Sequence, residues 1–310
     1  MLYLITINYN NSHYTIDLLK SLSHIKTSFR LILVDNASVT EDFNRLSTFI
    51  KQGIDSSKYT DDSSRFLNDS SKQFLLVREN MNLGFSAGNN AGIRIAQEQV
   101  DFEAVALLNN DTEVDPFFLD EIQKFRNQNE FADLIGCRIF YANQRDVLLY
   151  DGGTYYKHSC RAKHLHMNMK LAEFKSSNLP RPTGFITGCF MYISKNSINK
   201  IGLLDENLFM YNEDLEYCIR AHKMGLKLYY VPTAVIYHKI TSISSPFSIY
   251  WAARNRFKVA KKHTNTFDFS YTIIFYLLSR IPRFIIWFSK GRTDLIKAQI
   301  KGMMHGLNKK

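Results

Sequence analysis

The chain has 310 residues, 45% hydrophobic and 22% charged, which excludes a disordered, collagen-like or small disulfide-stapled protein and fits one large domain with room for an appendage. The net charge of +10 is unevenly placed: residues 1–250 hold 26 Lys+Arg against 27 Asp+Glu, whereas residues 251–310 hold 13 against Asp268 and Asp294 alone. A neutral body with a basic tail argues against a nucleic-acid-binding core and for a tail that faces an acidic partner.

Tyr3–Ile7 is a β-branched and aromatic run, predicting a buried first strand that stops at the turn cluster Asn8-Tyr9-Asn10-Asn11. It is too short for the apolar core of a signal peptide, so no secretory leader is expected. Ile16, Leu18, Leu19 and Leu22 mark one face of a helix. Leu31–Val34 is a second strand, ended by Asp35-Asn36-Ala37-Ser38, and a helix near 41–51 follows. The Ser- and Asp-rich segment Asp55 to Lys72 reads as an exposed loop or insertion. Phe74–Val77 is a third strand, and Asn82 to Asn90 leads into a helix reaching about Gln99. Ala104–Leu108 is a fourth, ending at Asn109-Asn110-Asp111-Thr112, with Pro116 suited to the first turn of the next helix.

This alternation predicts an α/β fold with a mostly parallel sheet covered on both faces. Residues 132–212 read as strands and long loops, with Thr187–Ile193 as a central strand. Asp214–Met224 is helical and stopped by Gly225. Lys227–Val231 and Ala234–Tyr237 are late strands, and Pro246–Lys262 is a helix. Phe267–Phe288 is strongly apolar but broken by Arg280, Pro282 and Arg283, so a membrane-spanning helix is not expected. The cysteines at 137, 160, 189 and 218 form no C-x-x-C pair; Cys189 and Cys218 read as core residues in a reducing compartment.

Four polar clusters fall at predicted strand ends: Asn8 to Asn10, Asp35 to Ser38, Arg78 to Asn90, and Asn109 to Asp111. Ligands of open α/β sheets sit beyond the carboxyl ends of the strands, although each cluster alone is a turn by default. Asp35 can accept a hydrogen bond from a nucleobase imide or cap the next helix. Gly84, Gly88 and Gly92 allow close approach at a helix start but do not form a dinucleotide fingerprint. Asp111 after a buried strand suits Mg²⁺ or Mn²⁺ against a diphosphate. Glu213 and Asp214 open a helix, where acids favour the dipole and where one carboxylate can also act as general base. His238 ends a late strand and is by itself an ordinary structural histidine.

Together these strings resemble the inverting family 2 glycosyltransferases of GT-A fold, and within them the rhamnosyltransferase-type enzymes of bacterial O-antigen and capsule synthesis. The strings are Thr6 to Asn10, Val34 to Ser38, Asn82 to Asn90, Leu108 to Thr112, Thr187 to Met191 and Phe209 to Asp214, in family order across about residues 1–240. The resemblance implies a nucleotide-sugar-binding half at 1–112, an acceptor and catalytic half at 113–240, and a helical extension at 241–310. It implies that Asn8, Tyr9, Asp35, Asn36, Ser38, Asn82, Gly84, Asn89 and Asn110 serve nucleotide and donor. Asp111, His238 and Asn109 would serve a divalent metal, Mg²⁺ or Mn²⁺; Asn109 stands where the family's D-x-D motif begins with Asp. Asp214 would be the catalytic base with Glu213 beside it, and dTDP-L-rhamnose the favoured donor. Other readings of these residues are a non-catalytic glycan-binding subunit and a nucleotidyltransferase; Asn8–His13 lacks the Gly and Lys of the latter's phosphate loop.

The tail mixes aromatic and basic residues at Trp251 to Lys258 and places an apolar stretch between Lys262 and Lys290. That composition suits the surface of an anionic membrane, or a helical pair packed on the core with a solvated basic face. With the resemblance, it implies an enzyme peripheral to the cytoplasmic face of the membrane. The acceptor would be a polyprenyl-diphosphate-linked glycan whose diphosphate Arg254 and Arg256 can meet. Tyr155, Tyr156, His158 and Phe185 are candidates for an acceptor groove or for packing.

Overall fold

A computed structural model of the chain describes residues 1–173, 177–239 and 244–308. The boundary expected at 240–241 lies outside these described residues. The first half runs β1 (Leu2–Asn8), α1 (Ser12–Leu22), β2 (Arg30–Asp35), α2 (Thr40–Gly53), β3 (Tyr59–Thr60), α3 (Ser63–Asn68), β4 (Phe74–Arg78), α4 (Gly84–Gln97) and β5 (Ala104–Leu108). Then follow β6 (Thr112–Val114), α5 (Phe118–Gln128), β7 (Leu134–Tyr141), β8 (Gln144–Tyr150), β9 (Gly153–Tyr156), β10 (Arg161–His164), β11 (Arg181–Pro182), β12 (Phe190–Ser194) and α6 (Lys195–Ile201). The chain closes with α7 (Glu213–Lys223), β13 (Leu228–His238), α8 (Pro246–His263), α9 (Thr266–Ser289) and α10 (Thr293–Leu307).

One large sheet is ordered β11-β13-β7-β12-β5-β1-β2-β4-β3, with β6 on β13 and β8 on β7. Strands β5, β1, β2, β4 and β3 are parallel. They are short apolar runs because both faces are covered: Leu4, Ile5, Ile32, Leu33 and Val105 are fully buried, each contributing about 2 kcal/mol of apolar transfer. β12 lies antiparallel between β5 and β7, which makes the sheet mixed.

The structure changes four expectations. Asp55 to Lys72 carries β3 and α3 rather than only a loop. Buried Arg30 explains this order, since its guanidinium lies 3.7 Å from the Phe66 ring centre and donates to the Lys72 carbonyl at 2.9 Å. Pro116 precedes α5 rather than entering its first turn. The two late strands are one, β13, whose pairing with β7 shifts register between Val231 and Val235 around Pro232, a residue with no N–H to give the ladder. Finally, α9 runs unbroken through Arg280, Pro282 and Arg283 and is, by length and composition, long and apolar enough to cross a membrane.

α8 and α9 share a small core of Ala253, Phe257 and Tyr276, against which Met303 and Leu307 of α10 pack. Gly302 and Gly306 let α10 press on α8; a Cβ at either would stand 2.4 Å from a carbonyl of α8. α9 leaves Phe267, Ile274, Leu278, Ile281, Ile285 and Phe288 exposed.

Candidate active site

The parallel register places Asn8 beside Asp35 and Asp35 beside Arg78, so three polar strand ends form a row. A cleft of about 560 Å³ opens beyond them. Tyr9, Asn36, Asn82, Gly84 and Asn89 line one side, Asn109, Asn110, Asp111 and His238 the floor, and Thr187, Gly188, Tyr211, Glu213 and Asp214 the other side. A larger hollow of about 700 Å³, bordered by Lys20, Leu31, Phe49 and Phe74, lies where β2 and β4 begin. That is the amino end of the parallel strands, opposite to where such sheets hold ligands.

Asn8, Asp35 and Ser38 do not reach the cleft lining; they form a buried network beneath it. The Asn8 amide nitrogen lies 2.9 Å from Asp35 Oδ1 and 3.0 Å from both Ser38 Oγ and Asp42 Oδ2. Thr15 donates to Asn8 Oδ1 at 2.8 Å, and Ser38 N–H donates to Asp35 Oδ2 at 3.1 Å. Ser12 donates to Asp42 through N–H at 3.0 Å and through its hydroxyl at 2.7 Å. Burial alone would raise the Asp42 pKa, but the donors from Asn8 and Ser12 outweigh it and hold the carboxyl below its ordinary value.

Above this network, Asn36 ties the turn that opens α4. Its amide donates to Asn82 Oδ1 and to the Gly84 carbonyl, both at 3.0 Å, and its oxygen accepts from Leu83 N–H at 2.9 Å. Gly84 has φ +75°, and a Cβ there would meet Phe209 at 2.5 Å. Phe85 N–H donates to the Phe209 carbonyl at 2.6 Å. Phe209, Tyr211 and Asn212 all have positive φ, so the segment before Glu213 is held in a conformation that non-glycine residues disfavour. Asn255 of α8 supplies the hold: fully buried, it donates to the Leu208, Met210 (2.8 Å) and Tyr211 (2.9 Å) carbonyls. Trp251 adds a stacked contact with Phe209 at 4.7 Å.

That segment delivers Asp214 to the start of α7. Its Oδ2 accepts from Gly188 N–H at 3.0 Å and its Oδ1 from Leu215 N–H at 2.7 Å. Thr187 to Cys189, expected within a strand, is instead the turn before β12 that presents this N–H. Burial raises the Asp214 pKa, opposed by those two N–H groups. Burial and then the Asp214 charge push Glu213 well up, and its Oε2 is buried without a hydrogen-bond partner. Burial thus raises both carboxyl groups, and two backbone N–H donors favour the charged form of Asp214.

Asp111 and His238 meet because β6 and β13 pair antiparallel, His238 beside Thr112. Asp111 Oδ1 and His238 Nε2 are 2.9 Å apart but not in hydrogen-bond geometry. Both atoms and His238 Nδ1 are buried with no hydrogen-bond partner. The two atoms face each other at the distance of an ion pair, which is also about the 3 Å that separates adjacent ligands of an octahedral ion bound at about 2.1 Å. Among the described residues no group of three or more His, Cys, Asp or Glu forms a complete cage. Two protein ligands suit an ion that takes its remaining oxygens from water and substrate phosphate.

His164 is a lining residue that no sequence signal marked, sitting in the short polar strand β10. Its Nδ1 lies 3.0 Å from the Leu149 carbonyl and so carries the proton, and burial lowers its pKa. A neutral ring with Nε2 free to accept is the result. Arg254 and Arg256 do not reach the cleft. Arg254 donates to the Asn207 carbonyl at 2.9 Å and covers Trp251, while Arg256 donates to the Ser159 carbonyl at 2.9 Å. Nor do Tyr155, Tyr156, His158 and Phe185 line it: Tyr155 stacks on His222, His158 pairs with Asp268 at 2.7 Å, and Phe185 is core.

Comparison with known proteins gives the family and the fold. The family described as glycosyltransferase like family 2 matches residues 68–259, more than half of the chain. The chain is 27% identical over 232 residues to a low-salt glycan biosynthesis hexosyltransferase, Agl10, of Haloferax volcanii, covering 73% of each protein. It is 22% identical over 241 residues to the dTDP-rhamnosyl transferase RfbF of Shigella flexneri, covering 73% of this chain and 76% of that one. The fold is shared with a crystal structure of GalNAc-T7 with UDP, GalNAc and Mn²⁺, at TM-score 0.61 and 15% identity over 84% of this chain and 47% of that one.

Proposed function

The chain belongs to the family 2-like glycosyltransferases, with a GT-A fold, and from that premise we propose an inverting enzyme of cell-surface polysaccharide synthesis. It moves a sugar from a nucleoside diphosphate to a hydroxyl of a lipid-linked glycan. The observation that carries this reading is one cleft holding a carboxylate aimed by two backbone N–H groups and, beside it, a carboxylate–imidazole pair without partners. Likeness to a dTDP-rhamnosyl transferase favours rhamnose as the sugar. The exposed apolar face of α9 and the basic residues around it support attachment to the cytoplasmic face of a membrane.

In this mechanism Asp214 takes the proton of the acceptor hydroxyl as its oxygen bonds to the anomeric carbon. The bond from that carbon to the diphosphate oxygen breaks on the opposite side, the leaving group keeps the electron pair, and configuration inverts. Gly188 and Leu215 N–H groups fix the direction of Asp214 without neutralising it. Glu213 lines the cleft beside Asp214. Asn36, Asn82 and Gly84 shape the donor side with Tyr9 and Asn89, Asn110 is held at the floor by Thr15 (2.9 Å), and Asn8, Asp35 and Ser38 brace that wall from below. Asp111 and His238, with Asn109 beside them, would hold a Mg²⁺ or Mn²⁺ that neutralises charge on the diphosphate.

The test is a transfer and hydrolysis assay of the purified protein across dTDP-, UDP- and GDP-sugars, with Mn²⁺, Mg²⁺ or EDTA and a lipid-linked acceptor extract. Release of one nucleoside diphosphate is expected, abolished by EDTA and reduced about 100-fold in Asp111→Ala. Silence with every donor overturns the reading, and activity indifferent to EDTA removes the metal from it.

A further inference from the structure

Arg254, expected at a lipid diphosphate, instead serves its own neighbour in the chain. It donates to Asn255 Oδ1 at 2.6 Å and to the Asn207 carbonyl at 2.9 Å, and its guanidinium covers the Trp251 ring at 4.9 Å. A guanidinium only donates, so the oxygen of the Asn255 amide must face it and the NH₂ must face the other way. That NH₂ meets the carbonyls of Leu208, Met210 and Tyr211. One fully buried amide thus has both ends occupied, one by a charged donor and one by three backbone acceptors.

The gripped segment leads to Asp214. Phe209, Tyr211 and Asn212 have φ of +53°, +71° and +67°, a run that L side chains disfavour and that does not hold itself. Asn212 adds its own bond to α8, donating to the Ala252 carbonyl at 3.3 Å. The reach of Asp214 to the Gly188 N–H is set by where α7 begins and at what angle. α8 fixes α7 a second time through buried Glu216, which Lys262 and His263 each meet at 2.9 Å. The donor end of the segment is tied separately. The Phe209 carbonyl accepts from Phe85 N–H at 2.6 Å and Ser86 N–H at 3.2 Å, and its ring stacks on Trp251. Met210 and Tyr211 lie between Phe209 and Asp214, so losing the Asn255 amide is felt at Asp214 more than at the donor turn.

Resting on the reading of Asp214 as the base of a glycosyl transfer, we propose that Asn255 is a positioning residue for that base, oriented by Arg254. α8 then belongs to the catalytic apparatus as well as to the helical extension.

The test compares the full chain with its Asn255→Ala and Arg254→Ala variants, by transfer kinetics and by amide hydrogen exchange without substrate. In Asn255→Ala, kcat should fall about 100-fold, the effect of displacing a reacting group by about 1 Å. Donor KM should change by no more than about twofold. The acid limb of kcat/KM should move up by about one pH unit, because N–H donors favour the charged carboxylate and their loss leaves burial less opposed. The titratable neighbours of Asp214 in the cleft, Glu213 and His164 among them, are the same in all three proteins. Partial unfolding lowers the active fraction but moves neither that limb nor donor KM. Exchange at the Gly188 amide should quicken about tenfold. Arg254→Ala, at a half-buried position, should keep the parent's thermal melt and shift the same limb less, in the same direction. If Asn255→Ala does not fold, an unmoved limb in Arg254→Ala overturns the proposal. So does a fall in kcat with the limb unmoved, or unchanged exchange at Gly188, either of which leaves Asn255 a structural clamp. A parent silent with every donor fails the enzyme reading instead, and exchange at Gly188 still decides whether Asn255 fixes Asp214.

Discussion

Two buried polar clusters stand side by side at the carboxyl ends of the strands, and they differ in whether their atoms have partners. In the first, Asn8, Asp35, Ser38 and Asp42 answer one another donor for acceptor, with Ser12 and Thr15 completing the set. In the second, Asp111 Oδ1, both nitrogens of His238 and Glu213 Oε2 have no hydrogen-bond partner, although Asp111 and His238 face each other at 2.9 Å. The first cluster contributes to stability because each member satisfies another. The second is tolerated at a cost in stability, which is the usual mark of groups kept for a substrate or ion. The contrast divides the residues around the cleft into those that hold it and those that act in it.

The largest effect expected on that division is kinetic. Asp214→Asn keeps the shape and the contact with Leu215 but cannot take a proton, so turnover should fall about 1,000-fold while donor affinity is retained. Single-turnover transfer set beside donor titration reads both, and a variant that still turns over moves the base elsewhere.

A stability comparison comes next. Asn8→Leu leaves Asp35, Ser38 and Asp42 without a shared donor and should lower unfolding free energy by about 3 kcal/mol in urea. Asp111→Asn, which strands nothing, should be neutral or slightly stabilising in the same titration. Equal losses in the two variants would break the distinction between the clusters.

The smallest expected effect is pH-dependent. Burial, and then the Asp214 charge, raise the Glu213 pKa in the folded state, so its stabilising contribution is present below the unfolded glutamate value, about 4.3, and is lost as pH rises toward the raised value. Glu213→Gln removes that loss. The variant should match the parent at low pH and gain about 1 kcal/mol near neutrality. The acid limb of kcat/KM in the parent should lie above the ordinary aspartate range, because burial also raises Asp214.

Much of the site is legible in the sequence. Buried parallel strands are written as short apolar runs with polar stops, so Asn8, Asp35 and Asp111 announce themselves as strand ends. Their division of labour is not legible there, because partnership depends on side chains that arrive from elsewhere. Asn255 reaches the segment before Glu213 from more than 40 residues away. His164 lies in a strand too short and polar to carry a signal. Arg254 and Arg256, expected together, point about 200° apart on their helix and serve different neighbours. Arg256 instead joins Arg280, and the apparent interruption of α9 by Arg280 and Pro282 becomes part of a surface once the helix packs on α8.

Local composition and periodicity thus determined the alternation of strands and helices, the carboxyl-end row of polar residues and the basic, aromatic character of the last sixty residues. Those features depend on each residue's own backbone preference and on which face it buries, and both are encoded within a few neighbours. Only the tertiary structure decided which buried carboxylates have hydrogen-bond partners and which, like Asp111 facing His238, do not. Those outcomes depend on desolvation and hydrogen-bond geometry between segments distant in sequence, and no local pattern records them.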